Sequence, residues 1–419
     1  LSGGTGDDSF VYDSSAADAT GVGETIAGGD NTDRIVVAGG TTSINFSDDF
    51  ISGIETLDLT TDVDGDPDLN AQSLRMTDAQ IDALSTINAA VGDNITVHDA
   101  MTSDMLGAVD DATKTVVNGT LELKLTEQTG NIAQALTLLE GTMDDAGDLL
   151  KVDASSLTLG DTLTFIGSAE TTARVSVTGG TGADSIVGSN ADLIDTISGG
   201  AGNDTIEGKA GVDNLSGGTG DDSFVYDSSA ADATGVGETI AGGDNTDRIV
   251  VAGGTTSINF SDDFISGIET LDLTTDVDGD PDLNAQSLRM TDAQIDALST
   301  INAAVGDNIT VHDAMTSDML GAVDDATKTV VNGTLELKLT EQTGNIAQAL
   351  TLLEGTMDDA GDLLKVDASS LTLGDTLTFI GSAETTARVS VTGGTGADSI
   401  VGSNADLIDT ISGGAGNDT

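Results

Sequence analysis

Cysteine and tryptophan are absent from this sequence, aromatic residues make up 2% of it, and there are two histidines in 419 residues. The absence of cysteine excludes a thiol nucleophile, and it fits a secreted protein stabilised by a means other than disulfides. His98 and His312 both lie in the context VHDAM, which is not the HExxH motif of a zinc protease. The GxSxG motif of lipases is also missing. We therefore predict that the protein is not an enzyme.

Positive charge is scarce as well, since 13 basic residues face 72 acidic ones and the formal net charge is −59. Nucleic acid and anionic membrane surfaces require cationic protein, so both are excluded as partners. The sequence has no signal peptide and no apolar run long enough to span a membrane. A disordered acidic chain would share this charge, but the hydrophobic content of 37% is arranged in short alternating runs. Such a charge opposes compaction unless counter-ions bind.

Glycine is concentrated in the stretch Gly179–Val225, which can be written in nines. It reads GGTGADSIV, then an irregular eleven, GSNADLIDTIS, then GGAGNDTIE, GKAGVDNLS and GGTGDDSFV. Three of these segments match G-G-x-G-x-D-x-U-x, where U is a large apolar residue, and a fourth differs only by Lys209. A flexible Gly/Asp-rich linker is the alternative, but a linker has no reason to place an apolar residue two positions after each aspartate.

This spacing predicts a calcium-binding β-roll. Gly-Gly-x-Gly makes a tight turn, because glycine reaches positive φ without steric cost, and x-U-x is a short strand whose apolar residue points inward. One nonapeptide is half a coil, so the turns stack on both edges and bring carbonyls and sixth-position carboxylates into register. Hard oxygen ligands in this arrangement suit Ca²⁺. Without the ion the aspartates would repel each other, so we expect calcium binding and folding to be coupled.

The predicted calcium ligands are the sixth-position carboxylates and the turn glycines. They are Asp8, Asp184, Asp195, Asp204, Asp213, Asp222, Asp398, Asp409 and Asp418, with Gly180, Gly182, Gly200, Gly202, Gly218 and Gly220. A weaker candidate is the loop DVDGDPD and its copy, where alternate aspartates could wrap an ion: Asp62, Asp64, Asp66, Asp68, Asp276, Asp278, Asp280 and Asp282. This loop does not follow the EF-hand order, because Pro67 replaces the required glycine, and a solvated acidic turn is the alternative.

The nonapeptide run resembles the RTX (repeats-in-toxin) calcium-binding proteins of Gram-negative bacteria, of the giant adhesin, S-layer-like and extracellular filament kind. The resemblance implies export by a type I secretion machine and folding outside the cell, where calcium is met. It therefore implies a secreted or cell-surface location. The phrases SGIETLDLT and VDASSLTLGDTLTFIGSA are also similar to segments that precede calcium nonapeptides in bacterial S-layer and adhesin proteins.

The sequence also repeats on a larger scale, because residues 215–419 are identical to residues 1–205, a period of 214 residues. Both ends of the chain cut through a nonapeptide. We expect the chain to be a window from a longer periodic polypeptide, and an engineered tandem is the alternative. Residues 1–11 end one calcium roll, 12–178 form a β-rich segment, 179–225 form the roll that joins the copies, 226–392 repeat 12–178, and 393–419 begin the next roll.

Within one copy, short strands are expected at 24–27, 34–38, 43–46 and 55–60, and again at 121–125, 135–139, 149–152, 163–166 and 175–177. The midpoints of the first four in the second group are 14 residues apart, which predicts larger solenoid coils over 121–178 that lead into the roll. The run 131–140 fits a helix equally well. GGDNTDRIVV (28–37) is interpreted as a decayed nonapeptide that feeds a strand.

A small helical insertion is predicted at about 77–110. Thr77 and Gln80 form a capping-box signature, and Ile81, Leu84 and Ile87 follow at helical spacing, which predicts a helix over 78–88. Asp99 would cap a second helix, in which Met101, Met105, Leu106 and Val109 share a face. The predicted fold class is mostly β, a parallel β-roll or β-solenoid with this insertion, in tandem identical 214-residue repeats.

The function that these features favour is that of a secreted, calcium-stabilised structural repeat protein. Identical units joined end to end give an extended rod, as in an extracellular filament or the arm of a giant adhesin or biofilm-matrix protein. The expected partner is the chain itself, through adjacent repeats and through lateral rod or lattice contacts. An S-layer lattice protein and a glycan-binding adhesin module, whose partner would be cell-surface glycan, are the alternatives. Two tyrosines and irregularly spaced threonines disfavour the glycan-binding module.

Overall fold

The computed structural model describes residues 1–13, 23–38, 43–60, 71–99, 116–126, 133–143, 145–158, 160–227, 237–252, 257–274, 285–313, 330–340, 347–357, 359–372 and 374–419. The chain separates into two compact units, Leu1–Gly220 and Asp221–Thr419. Within each unit the described strands pair in parallel, and each unit is a β-solenoid with almost no helix.

The first unit contains nineteen of the described strands and one short helix. They are β1 (Ser2–Thr5), β2 (Ser9–Asp13), β3 (Thr25–Asp30), β4 (Arg34–Ala38), β5 (Ser43–Asn45), β6 (Phe50–Ser52), β7 (Thr56–Asp58), β8 (Ser73–Met76), α1 (Asp78–Asp82), β9 (Thr86–Ala89), β10 (Asn94–Val97), β11 (Val116–Leu125), β12 (Ala133–Thr137), β13 (Leu149–Asp153), β14 (Thr162–Ile166), β15 (Arg174–Thr178), β16 (Ser185–Val187), β17 (Thr196–Ala201), β18 (Thr205–Glu207) and β19 (Asn214–Thr219).

The second unit repeats this order as far as its sequence extends. Its elements are β20 (Ser223–Asp227), β21 (Thr239–Asp244), β22 (Arg248–Ala252), β23 (Ser257–Asn259), β24 (Phe264–Ser266), β25 (Thr270–Asp272), β26 (Ser287–Met290), α2 (Asp292–Asp296), β27 (Thr300–Ala303), β28 (Asn308–Val311), β29 (Val330–Leu339), β30 (Ala347–Thr351), β31 (Leu363–Asp367), β32 (Thr376–Ile380), β33 (Arg388–Thr392), β34 (Ser399–Val401) and β35 (Thr410–Ser412).

Coil length changes along the first unit and can be read from the strand register. Register partners are Ser9 and Arg34, 25 residues apart; Thr56 and Thr86, 30 apart; Leu123 and Val152, 29 apart; Ser176 and Thr196, 20 apart; and Ile197 and Leu215, 18 apart. A coil of two nonapeptides is thus present only at the end of the series. The predicted half-coil of 14 residues over 121–178 agrees with the 29-residue coil between β11 and β13.

The core is a set of apolar columns, because residues in parallel register lie directly above one another. Ile35, Leu57, Ile87 and Val117 are successive register partners, and all are at most 1% exposed. Burial of each such side chain contributes roughly 1.5–3 kcal/mol. The alternation of buried and half-buried residues along the strands is the period-two pattern that predicted most of them. Residues 133–137 of the ambiguous run form strand β12, which pairs with β14.

The predicted helix over 78–88 is wrong beyond its first turn. Helix α1 ends at Asp82, and Ile87 lies on strand β9, paired with Leu57 and Val117. The capping box is real, since Thr77 Oγ1 accepts the Gln80 N–H at 3.2 Å and Gln80 Oε1 accepts the Thr77 N–H at 2.8 Å. The following sequence STINA alternates buried and half-buried residues with β-branched side chains, which favours a strand.

Helix α1 is a turn within a coil. Gln80 Nε2 donates to the carbonyl oxygens of Phe46 (2.7 Å) and Asp49 (3.0 Å), which ties the helix to the chain after β5. Strands β9 and β10 follow within residues 86–97, so no helical insertion exists over 77–99. The predicted second helix, Met101 to Val109, lies outside the described residues.

The capping box can be tested with T77A/T291A, which removes the side-chain acceptor at the start of both helices. We expect unfolding free energy to fall by about 1 kcal/mol for each unit in urea denaturation, as for other N-cap losses. T96A/T310A is the control, because these strand threonines are half-buried and cap no helix, and we expect a change below about 0.5 kcal/mol. Equal losses in the two variants would show that the cap contributes nothing specific.

Candidate calcium-binding turns

The turns of the nonapeptide stretch have a backbone conformation that requires glycine. Gly200, Gly202, Gly218 and Gly220 have φ values of 107°, 117°, 115° and 129°. A Cβ on Gly200 would lie 2.4 Å from the carbonyl oxygen of Gly180, and a Cβ on Gly202 would lie 2.1 Å from that of Gly182. The turns therefore stack with backbone against backbone, one coil above the next.

Gly180 and Gly182 lack space rather than a special φ. A Cβ on Gly182 would lie 1.8 Å from the Asp161 carbonyl oxygen, and one on Gly180 would lie 2.8 Å from Leu157 Cβ. At the second position Lys209 replaces glycine and has a φ of 70°, so the turn keeps its left-handed conformation. Lys209 Nζ pairs with Glu207 Oε1, two residues before it in the same turn.

Each sixth-position carboxylate folds back over the first glycine of its own turn. A Cβ on Gly179 would lie 2.3 Å from Asp184 Oδ2, and one on Gly199 would lie 2.2 Å from Asp204 Oδ2. The Gly179 position is also 2.1 Å from the carbonyl oxygen of Gly199, on the next coil. The absence of a side chain thus creates a cradle where a carboxylate oxygen and a carbonyl oxygen converge. We had not predicted a role for these first-position glycines, although the motif contains them.

The other carboxylate oxygen links coils. Asp204 Oδ1 accepts the Asp184 N–H at 2.8 Å, and Asp213 Oδ1 accepts the Asp195 N–H at 2.9 Å. Asp195 Oδ1 in turn accepts the Val175 N–H at 2.8 Å. We call this series of carboxylates, Asp184 with Asp204 and Asp195 with Asp213, the aspartate ladder. It brings the predicted ligands together in pairs, one pair on each edge of the roll.

The same contacts are found at most of the other predicted aspartates. Asp398 Oδ1 accepts the Leu377 N–H at 2.8 Å, Asp409 Oδ1 accepts the Val389 N–H at 3.0 Å, and Asp418 Oδ1 accepts the Asp398 N–H at 3.1 Å. Asp222 donates its own N–H to Asp247 Oδ1 at 2.8 Å. The loop candidates Asp62, Asp64, Asp66 and Asp68, with their copies Asp276, Asp278, Asp280 and Asp282, lie outside the described residues.

The second oxygen differs from turn to turn. Asp184 Oδ2 accepts the Gly180 N–H and Asp195 Oδ2 accepts the Ser189 N–H, both at 2.7 Å. Asp8 Oδ2 is buried and accepts no hydrogen bond from the described residues, while the empty Cβ position of Gly3 lies 2.3 Å from it and 2.7 Å from the Gly28 carbonyl oxygen. A buried anionic oxygen beside a carbonyl oxygen needs a cation, so the donor set fits calcium.

Burial dominates the electrostatics of these carboxylates. It raises the pKa of Asp195 to about 7, against the lowering effect of hydrogen bonds from Val175 and Ser189 and of the Arg174 charge. Burial also raises the pKa of Asp184, against hydrogen bonds from Leu163 and Gly180. A cation bound at such a carboxylate would favour the ionised form.

In the described residues no three acidic or histidine side chains converge as a metal-binding group. A calcium ion in these turns would therefore take most of its ligands from backbone carbonyls, with carboxylate oxygens of the ladder. Sequence reasoning missed two members of this ladder, Asp33 and Asp247, whose Oδ1 atoms accept the N–H groups of Asp8 and Asp222. Their signal was present, because each stands two residues before an inward isoleucine in the decayed nonapeptide.

The turn geometry predicts that G200A destabilises the first unit. The alanine would have to adopt a φ of 107° and place Cβ 2.4 Å from the Gly180 carbonyl oxygen, so we expect a loss of about 2 kcal/mol or more. G147A is the control, since its Cβ meets only Asp145 Oδ1 at 3.6 Å, and its stability should stay within about 1 kcal/mol. Both would be measured by urea denaturation with calcium present, and an undiminished stability of G200A would contradict the turn geometry.

Glu238 is a buried carboxyl outside the turns and predicts a pH effect. Burial and the nearby Asp263 charge raise its pKa from 4.5 to about 7, against the hydrogen bond that Tyr226 donates at 2.5 Å. Since the folded pKa is the higher one, its contribution to stability is complete below pH 4.5 and is lost as pH rises through about 7. E238Q should therefore unfold at a higher temperature than the unaltered chain at pH 8 and show little gain at pH 5.

E24Q is the matched control, because Glu24 occupies the same place in the first copy but is exposed, with its Oε2 3.4 Å from Tyr12 Oη. We expect E24Q to change thermal stability little at either pH. If E238Q were no more stable than the unaltered chain at pH 8, the Glu238 carboxylate would not be a destabilising charge.

Comparison with known proteins adds one finding to this geometry. Residues 191–224 and 390–419 match the family model of the RTX calcium-binding nonapeptide repeat, in four copies. Neither the curated proteins nor the solved structures contain a match to the chain. None of the helices in the described part of the chain has the length and apolar character of a membrane span. RTX nonapeptide repeats bind calcium, and the matched stretches coincide with the stacked glycine turns and the aspartate ladder: this is an RTX repeat chain.

Proposed function

We propose that the chain is a secreted structural repeat protein, which calcium stabilises at its nonapeptide turns and which forms an extracellular filament or the rod of a giant adhesin or matrix protein. The observation that carries the proposal is the aspartate ladder. It places buried carboxylates and carbonyl oxygens along the solenoid edge in a chain without a candidate catalytic motif. The carboxylates Asp8, Asp184, Asp195, Asp204, Asp213, Asp222, Asp398, Asp409 and Asp418 are the proposed ligands, with carbonyl oxygens of the glycine turns.

The repeat supports an extended arrangement. Within each unit a coil contacts chiefly the coils before and after it, through parallel strands and ladder contacts. Chains with only nearest-neighbour contacts can be lengthened by adding units without a change of core. Because the two copies are identical, the contacts at one junction could be repeated at every other junction of a longer array.

The charge of the chain supports the role of calcium. A formal charge of −59 in 419 residues destabilises a compact state through self-repulsion. Calcium bound at the turns would cancel part of this charge where the carboxylates are most buried. Calcium bound at exposed aspartates would also allow neighbouring rods to associate. Secretion by a type I machine follows from the RTX resemblance and would deliver the chain unfolded to a calcium-rich exterior.

The test is electron microscopy of the native secreted material, with calcium and after exchange into a chelator, with magnesium at the same ionic strength as the control. We expect filaments with an axial repeat assignable to one 214-residue unit, which slacken or dissolve in chelator and not in magnesium. Sheets would favour the S-layer alternative. Globular particles that do not respond to the chelator would contradict both the architecture and the role of calcium.

A further inference from the structure

The decayed nonapeptide GGDNTDRIV, at 28–36 and again at 242–250, lies outside the stretches that match the RTX repeat model. Its fourth position is asparagine instead of glycine, yet Asn31 and Asn245 keep the left-handed turn conformation, with φ values of 85° and 89°. Asparagine is the residue that replaces glycine in this conformation at least cost. The turn has therefore kept the RTX geometry without its full sequence.

The sixth position of this turn holds a deeply buried carboxylate. Asp33 and Asp247 are 0% exposed, and Oδ1 of each accepts an N–H from the preceding coil, at 2.7 and 2.8 Å. In neither residue does Oδ2 accept a hydrogen bond from the described residues. Burial raises the pKa of Asp247, and so do the charges of Glu269, Asp221 and Asp244.

A second oxygen converges on each of these Oδ2 atoms. The empty Cβ position of Gly28 lies 2.4 Å from Asp33 Oδ2 and 1.7 Å from the Gly53 carbonyl oxygen. In the second copy the Gly242 position lies 2.4 Å from Asp247 Oδ2 and 1.8 Å from the Gly267 carbonyl oxygen. Two acceptor oxygens face each other with no hydrogen between them, in a buried place, which is unfavourable unless a cation lies between them.

A carboxylate elsewhere in the solenoid shows what a cation-free turn looks like. Asp93 belongs to a coil without glycine pairs and is 1% exposed. Its Oδ1 accepts the Gln72 N–H at 2.7 Å and its Oδ2 accepts the Ala90 N–H, also at 2.7 Å. Asp307 repeats both contacts in the second copy, at 2.8 and 2.6 Å. In these turns a backbone N–H occupies the place that faces the orphaned Oδ2 of Asp33.

We infer that Asp33 Oδ2 with the Gly53 carbonyl oxygen, and Asp247 Oδ2 with the Gly267 carbonyl oxygen, form one further calcium site in each copy. The site extends the calcium-dependent part of the solenoid one coil beyond the recognised nonapeptides. It joins a glycine turn to a coil whose acidic residue is a glutamate, since the N–H groups of Asp33 and Asp247 donate to Glu55 and Glu269 Oε2, both at 2.8 Å. The inference rests on the proposed calcium dependence and specifies where that dependence ends.

The test uses the full chain with D33N/D247N. Asparagine keeps the Oδ1 acceptor for the N–H groups of Asp8 and Asp222, and its Nδ2 can donate to the Gly53 or Gly267 carbonyl oxygen. We expect equilibrium dialysis against Ca²⁺ to show two fewer ions per chain than in the unaltered protein, and the melting temperature in chelator to rise. D93N/D307N is the control, which should bind the same number of ions and melt at a lower temperature in chelator.

The same number of ions in D33N/D247N and the unaltered chain would overturn the inference while leaving the proposed function intact. Failure of the unaltered chain to bind calcium would instead contradict the proposed function. Hydrogen exchange on the unaltered chain makes the test independent of how the variants fold. Calcium should slow exchange in the peptides 25–38 and 239–252 relative to the peptides 86–97 and 300–311, and equal protection in both pairs would also overturn the inference.

Discussion

The structure depends on one constraint, which is that a narrow parallel solenoid buries a carboxylate at the edge of many of its coils. One oxygen of the carboxylate accepts an N–H from the preceding coil and so holds the two coils in register, as Asp204 does for Asp184. The environment of the other oxygen decides what the coil needs. Where a backbone N–H faces it, as at Asp93, the coil is complete by itself. Where a glycine turn brings a carbonyl oxygen towards it, as at Asp8, the coil needs a cation.

Glycine creates this second situation through its missing Cβ. The first-position glycines leave room for a carboxylate oxygen, and the positive φ at Gly200 and Gly202 turns the chain within a few residues. The shortest coils, with 18 residues between Ile197 and Leu215, enclose a core of one apolar residue per strand. So small a core gives little hydrophobic stabilisation per coil, so an ion that links turns contributes proportionally more there than in the 30-residue coils.

The nonapeptide stretch was predictable because its period, its glycines and its inward apolar residues all agree, and the stack from Ile197 to Leu215 confirms that reading. The strands with period-two alternation were predictable for the same reason. The segment 78–88 was misread because Ile81, Leu84 and Ile87 fit a helix by spacing, whereas β-branched residues and pairing with β7 and β11 make Thr86–Ala89 a strand. Asp33 and Asp247 were missed because their turns lack one glycine, and only coordinates show an asparagine in its conformation.

The most direct test of this account is far-UV circular dichroism of the chain, freed of calcium with a chelator, during titration with Ca²⁺. The account predicts that β signal is lost in chelator and returns cooperatively with calcium, while magnesium at the same ionic strength restores little of it. Part of the signal should persist without the ion, from coils such as that of Asp93. A spectrum that is the same in chelator and in excess calcium would show that the buried carboxylates need no cation, and would contradict the account.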